Sequence, residues 1–236
     1  MKKLVLLILI ASPVLTAGQN KLEGFGAFKI SKFTTLDLIK YAADSGLAIK
    51  KMETFEDMYQ TRTKGIPNIL EVSADTVDIG VKAFQSSYCP DVRVFYLPKM
   101  VIAGIEFKNV YLSFYENLLY NIHSDFEKEI YDAATLKYGE PKIETKEEQT
   151  ICILKLTGLR VTHSDKSFIM KWENGDIECT MYLGAYRGDD CEEKRISYID
   201  IGDIKTNILE DNCDRAIESV LRGRQRAKDT NKLNDF

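Results

Sequence analysis

The chain has 236 residues, 44% of them hydrophobic and 29% charged, with a formal net charge of −4. That apolar content excludes a disordered chain and places the sequence among folded globular proteins. The acidic balance disfavours nucleic acid and anionic membrane surfaces as partners, since both are bound by an excess of Lys and Arg.

Met1-Lys2-Lys3, an apolar run over 4–15 and the small residues Ala17-Gly18 predict a secretory signal peptide over 1–18, cleaved near Ala17 or Gly18. The run is shorter than the roughly 20 residues a membrane-spanning helix needs. No cysteine follows the cut, so a lipid anchor is not expected. No later apolar run reaches membrane length, and the expected product is exported to the periplasm or beyond without a transmembrane segment. Cleavage removes Lys2 and Lys3 and makes the remainder more acidic still.

A strand is expected over 25–30. A helix then follows over 36–45, capped by Thr34 or Thr35, with Asp37 in its first turn and Gly46 as its stop. Short strands follow over 47–52, 69–72, 92–97 and 100–102, with the polar stretch 53–65 a helical turn or a loop. Val110, Leu112 and Phe114 alternate with polar neighbours, Glu116-Asn117 supplies a turn, and 118–122 returns, which predicts a hairpin. Ser124-Asp125-Phe126-Glu127 has the pattern of a capping box. It opens a helix with Phe126, Ile130, Ala133 and Leu136 on its apolar face, which Gly139 and Pro141 end at Tyr138.

The β-branched stretch 150–156 begins a meander. Asn174-Gly175 favours a two-residue hairpin with Glu173 opposite Asp176. Trp172 then meets Ile177, Met170 meets Cys179 and Phe168 meets Met181 on one face, while Lys171 faces Glu178 on the other. A slip of one residue would turn the apolar set into water. A last strand over 195–201 leads into an amphipathic helix over 204–227, striped by Ile208, Cys213, Ile217, Val220 and Leu221, with a fraying tail beyond 229. The implied class is α+β: an antiparallel meander sheet, or two, with helices packed on one face and a long C-terminal helix. It divides as lobes over 24–105 and 106–236, or forms one continuous domain.

Five cysteines, Cys89, Cys152, Cys179, Cys191 and Cys213, follow the leader. Export permits disulfides, and the odd count leaves one thiol free or bonded to another molecule. The hairpin parity puts Cys179 in the core. If the strands follow in meander order, Cys152 lies two strands away, roughly 9–10 Å, beyond the approximately 7 Å Cα separation a bridge tolerates. Cys213 on its helix reads as a buried thiol or a structural bridge. Cys89, in a loop before Pro90, is expected to be the unpaired one.

The two histidines each open a His-Ser-Asp tripeptide, at His123 and at His163. Neighbouring side chains point apart, whereas a catalytic triad converges from separated positions, so neither tripeptide is by itself a triad. No Gly-x-Ser-x-Gly or His-Glu-x-x-His occurs, no ligand spacing for a metal is present, and no cofactor motif is found. The acidic loop 189–193 lacks the alternation and glycine of a calcium loop and reads as a solvated turn. Arg222, Arg224, Arg226 and Lys228 complement the helix dipole.

Phe25-Gly26-Ala27-Phe28-Lys29-Ile30-Ser31-Lys32-Phe33-Thr34-Thr35-Leu36-Asp37 resembles the opening of small exported bacterial α+β proteins. The hairpin Phe114 to Ile122, followed by Leu136-Lys137-Tyr138-Gly139-Glu140-Pro141, is similar to a hairpin–helix–Tyr-Gly-x-Pro unit in the same group. That group looks like relatives of the β-lactamase-inhibitor-protein and outer-membrane assembly lipoprotein (SmpA/OmlA) architectures. Their usual glycine in the first turn is Ser31 here, and the lipoprotein cysteine is absent. The resemblance implies helices packed on an antiparallel sheet and carries over no site residue. The function expected is that of an exported, non-catalytic protein that binds another protein or an envelope component. The alternative is a secreted hydrolase or effector using His123 or His163.

Overall fold

The computed structural model describes residues 21–64, 68–74, 85–154, 157–188 and 191–234; the expected leader lies outside them. Gly26, at φ +53, breaks the strand expected over 25–30 into a small hairpin of β1 (Gly24–Phe25) and β2 (Phe28–Lys29). Ser31, where the resemblance has glycine, adopts the left-handed φ of +59 that glycine would take without strain. Helix α1 (Thr35–Asp44) then begins on a reciprocal cap. The Asp37 amide donates to Thr34 Oγ1 at 3.2 Å, and the Thr34 amide donates to the Asp37 carboxylate at 2.8 Å.

Beyond it run β3 (Ala48–Lys51), α2 (Phe55–Lys64), β4 (Asn68–Val72), β5 (Val92–Ile102), β6 (Ile105–Tyr115) and β7 (Leu118–Asp125). Next come α3 (Lys128–Tyr138), β8 (Lys142–Ile153), β9 (Arg160–Asn174), β10 (Ile177–Arg187), β11 (Glu193–Asp203) and α4 (Ile204–Asn234). The polar stretch 53–65 is thus mainly helix, and the two strands expected over 92–102 are one. Among the described residues nine strands form a single sheet in the order β3-β4-β5-β6-β7-β11-β10-β9-β8, antiparallel except for the parallel pair β3–β4. The class is α+β, as expected. The meander β8–β11 docks its last strand on β7, so residues of 24–105 and 106–236 share one sheet.

One face of that sheet carries the main core. Phe95, Leu112, Ile122, Ile201, Cys179 and Trp172 bury there against Leu38 and Ala42 of α1 and Ile130, Ala134 and Tyr138 of α3. Helix α4 lies against the reverse side. A Cβ on Gly202, whose strand neighbour Ile201 faces the core, would come within 2.8 Å of the Asn207 side chain on α4.

Three local expectations are corrected. The Ser124–Glu127 capping box does not form. Ser124 is fully buried in β7 and donates to the Lys108 carbonyl at 3.0 Å. Because β7 keeps pairing with β11 through Asp125, the amides there are already satisfied by the sheet. Helix α3 starts later, with Glu127 as a cap whose carboxylate bonds no helix amide and pairs instead with Lys108 at 2.6 Å. Its buried side is Ile130, Ala134 and Tyr138, leaving Leu136 91% exposed.

The hairpin register differs by two residues. Asn174 pairs with Ile177, Trp172 with Cys179 and Met170 with Met181. The turn residues are Gly175 and Asp176, and only Gly175 has a positive φ, +64. That is the pattern of a hairpin turn needing glycine at its first central position. Asn174 stays in the strand and donates to the Leu22 carbonyl at 3.2 Å. An offset of two preserves the face, so Trp172, Met170, Cys179 and Met181 are all buried as expected.

The apolar stripe on α4 is also displaced. Ile208 and Val220 are more than half exposed, while Asp214 and Leu221 are buried. The helix continues through Asn234 where fraying was expected beyond 229.

Candidate functional site: a tyrosine-lined cleft

On the reverse side of the sheet a row of rings crosses five adjacent strands. Tyr96 on β5 pairs with Tyr111 on β6, Tyr111 with His123 on β7, and His123 with Asp200 on β11. Tyr198, two residues from Asp200, pairs with Tyr182 on β10. Ring centroids are 5.0 Å apart for Tyr96–Tyr111, 5.9 Å for Tyr111–His123, 5.3 Å for His123–Tyr198 and 5.2 Å for Tyr182–Tyr198. The last pair is stacked, with 12° between planes. It is stacked because Gly184 leaves room: a Cβ there would sit 2.6 Å from the Tyr182 hydroxyl. Cross-strand pairing alone therefore aligns aromatic side chains from segments up to 102 positions apart.

Above this row opens a cleft of about 800 Å³, walled by Tyr59 and Arg62 of α2 and by Ile196 and Tyr198 of β11. This volume is typical of a site for a small organic ligand, roughly 300–1,000 Å³. Its polar groups are held in place. His123 Nδ1 lies 2.9 Å from the Asp200 carboxylate. Asn109 Nδ2 donates to Asp125 at 2.6 Å, and the Tyr96 hydroxyl donates to Asn109 Oδ1 at 2.9 Å.

Asn109 owes its position to a fault in the ladder. Pairing of β5 with β6 skips Pro98 opposite Asn109, because proline has no amide to donate, and Asn109 takes a φ of +50. Asparagine tolerates that conformation better than most residues. Such strained positions gather at binding sites.

Burial raises the phenol pKa of Tyr96, an effect partly opposed by Arg62 and reinforced by Asp125. Burial likewise raises those of Tyr111 and Tyr198, with Asp200 adding to the latter. All three remain neutral hydroxyls at physiological pH, able to donate and accept.

The cysteines sort into two bridges. Cys89 joins Cys213 and Cys152 joins Cys191, while Cys179 is a fully buried free thiol. Cys89, expected to be unpaired, is therefore bonded, and Cys179 is the odd one. The core position of Cys179 follows the parity argument. Cys152 lies two strands from it, but it pairs with Val161 where Cys179 pairs with Trp172, 11 residues further along β9, so the two are farther apart than the roughly 9–10 Å expected.

Of the two tripeptides, His123-Ser124-Asp125 splits as strand geometry requires. His123 and Asp125 line the cleft, Ser124 turns to the Lys108 carbonyl, and the acid beside the imidazole is Asp200. His163 lies elsewhere, opposite Thr150 on β8, with its ring beside the Cys152–Cys191 bridge. Of the acidic loop, residues 189–190 lie outside the described residues; Cys191 is bridged and Glu193 pairs with Arg187 and Arg195. On α4, Arg222 pairs with Glu218.

Among the described residues no helix is long and apolar enough to cross a membrane. No protein-family model, no curated protein and no solved structure matches this chain.

Proposed function

We propose that the protein is an exported, non-catalytic binding protein that takes a saccharide-bearing component of the bacterial envelope into the tyrosine-lined cleft. The observation that carries this reading is the cleft itself, in which aromatic rings stand beside hydrogen-bonded carboxylate and amide groups and the Arg62 guanidinium over about 800 Å³. A sugar ring presents C–H faces that lie against aromatic rings and hydroxyl edges that pair with Asp125, Asp200 and Asn109. Neutral phenols suit an uncharged partner of this kind. Two disulfides support an oxidising, exported setting.

Titration of the purified protein with soluble cell-wall oligosaccharides, followed by NMR shifts or calorimetry, tests the reading. Saturable binding is expected, weakened roughly tenfold, or by about 1.4 kcal/mol, in Tyr198→Ala and Asp200→Asn. Absence of binding to every oligosaccharide by the folded protein overturns it.

The His123–Asp200 contact at 2.9 Å favours a second reading, a secreted hydrolase or effector in which Asp200 orients the imidazole. Ser124 cannot serve as its nucleophile from the other side of the strand. Turnover of a bound oligosaccharide, lost in His123→Ala, would replace the first reading with this one.

A further inference from the structure

At the far end of the sheet, away from the cleft, the ligand atoms of Cys152, Cys191 and His163 all lie within 4.8 Å of one another. Strand register explains the cluster. Cys152 pairs with Val161 and Thr150 with His163, so His163 is the diagonal neighbour of Cys152 on one face. Cys191 reaches them from the turn between β10 and β11, with a φ of +62 and its amide donating to the Gly188 carbonyl at 3.0 Å. Cys152 is buried, whereas Cys191 and His163 are half-buried, so solutes reach the cluster from one side.

We propose that these three residues form a zinc site that the disulfide closes and that reduction by a dithiol opens. The dithiol supplies two electrons and two protons to the Cys152–Cys191 bond, which breaks into two thiols as the reductant closes into its own disulfide. Zinc then displaces one proton from each thiol, and neutral His163 donates a ring-nitrogen lone pair. Two thiolates balance the charge of the ion, and a water completes the tetrahedron, the composition of an open Cys₂His site.

Zinc bonds of about 2.0–2.3 Å put neighbouring ligand atoms roughly 3.5–3.8 Å apart. The three atoms are already close enough for side-chain rotation to reach that arrangement. The oxidised chain offers no thiolate and the site stays closed.

The test is zinc titration of the purified protein, oxidised and dithiol-reduced with the reductant removed anaerobically, read by native mass spectrometry and by thiolate-to-metal absorption with cobalt. One zinc per reduced chain is expected, none in the oxidised chain, with affinity falling at least the roughly tenfold that loss of even an outer-shell partner costs in His163→Ala. Circular dichroism follows the fold, and a reduced chain that unfolds but refolds on adding zinc also supports the proposal. No uptake by the reduced chain, folded or unfolded, overturns it, as does equal uptake by the oxidised chain or by His163→Ala.

Discussion

The Asp214 carboxylate on α4 accepts the backbone amide of Tyr88 at 2.5 Å, across 126 residues of sequence. It also accepts the Ser87 hydroxyl at 3.0 Å, one residue from the Cys213–Cys89 bridge. A covalent bond and a charge-assisted hydrogen bond thus tie the long helix to the segment before β5. In the loop-closure account, the Cys89–Cys213 bridge, spanning 124 positions, restrains the unfolded chain by about 5 kcal/mol, and Cys152–Cys191, spanning 39, by about 4 kcal/mol. The Cys89→Ala/Cys213→Ala pair is expected to lower denaturant stability more than Cys152→Ala/Cys191→Ala. Asp214→Ala should cost about 1–3 kcal/mol in the bridged protein, since it removes a charge-assisted hydrogen bond to a buried amide. Its effect should be non-additive with loss of the neighbouring bridge, as a double-mutant cycle would measure.

Gly184 tests how the ring row is built. Any side chain there meets the Tyr182 hydroxyl and ring carbons at 2.6–2.8 Å. Gly184→Val is expected to lift the ring off Tyr198 and lose the pair contribution, about 0.5–1.5 kcal/mol. The near-ultraviolet dichroism of the tyrosines should change while the far-ultraviolet spectrum stays the same. An unchanged tyrosine signal would mean the stack does not need the glycine.

Acid should loosen both N-terminal caps of α1 and α2. Hydrogen bonds from the Thr34 backbone and side chain hold the Asp37 carboxyl below its usual range, and the Thr54 and Glu53 amides do the same for Asp57. A group depressed on folding stabilises the native state above its unfolded pKa, here near 3.8, and loses that contribution as pH falls through the lower folded value. Asp37→Asn with Asp57→Asn should therefore flatten the dependence of stability on pH below about 4 and leave its slope near neutrality unchanged. Urea melts across that range read the slope directly.

Cys179 should be chemically silent. Its thiol is fully buried, and burial raises its pKa far above the ordinary range, with Asp200 and Glu178 adding to the shift. Only the thiolate is nucleophilic. Iodoacetamide is expected to leave the native, unreduced protein unlabelled and to add one carbamidomethyl group in denaturant. Native labelling would show that the core opens readily at β10.

The candidate site was half legible. The sequence marks His123, yet its partner Asp200 lies 77 positions away and no local pattern links the two. Tyr96, Tyr111, Tyr182 and Tyr198 looked like ordinary strand residues, because only the strand order β5-β6-β7-β11-β10 sets them side by side. One signal was present in Pro98 and Asn109. A proline inside a strand marks a place where the ladder breaks, and asparagine is a residue that tolerates the resulting φ.

By itself the sequence determined what is decided within a few residues. The reciprocal bonds of Thr34 and Asp37, the stop at Gly139 and the burial of Trp172, Met170, Cys179 and Met181 depend on side-chain spacing and on the two-residue period of a strand. Tertiary structure decided the rest. Ser124 became a strand residue because β11 claims its neighbours, the hairpin turned on Gly175-Asp176, and Cys89 found Cys213 across 124 positions. Those outcomes depend on which strands lie beside one another, and local preference carries no information about partners so far apart in the chain.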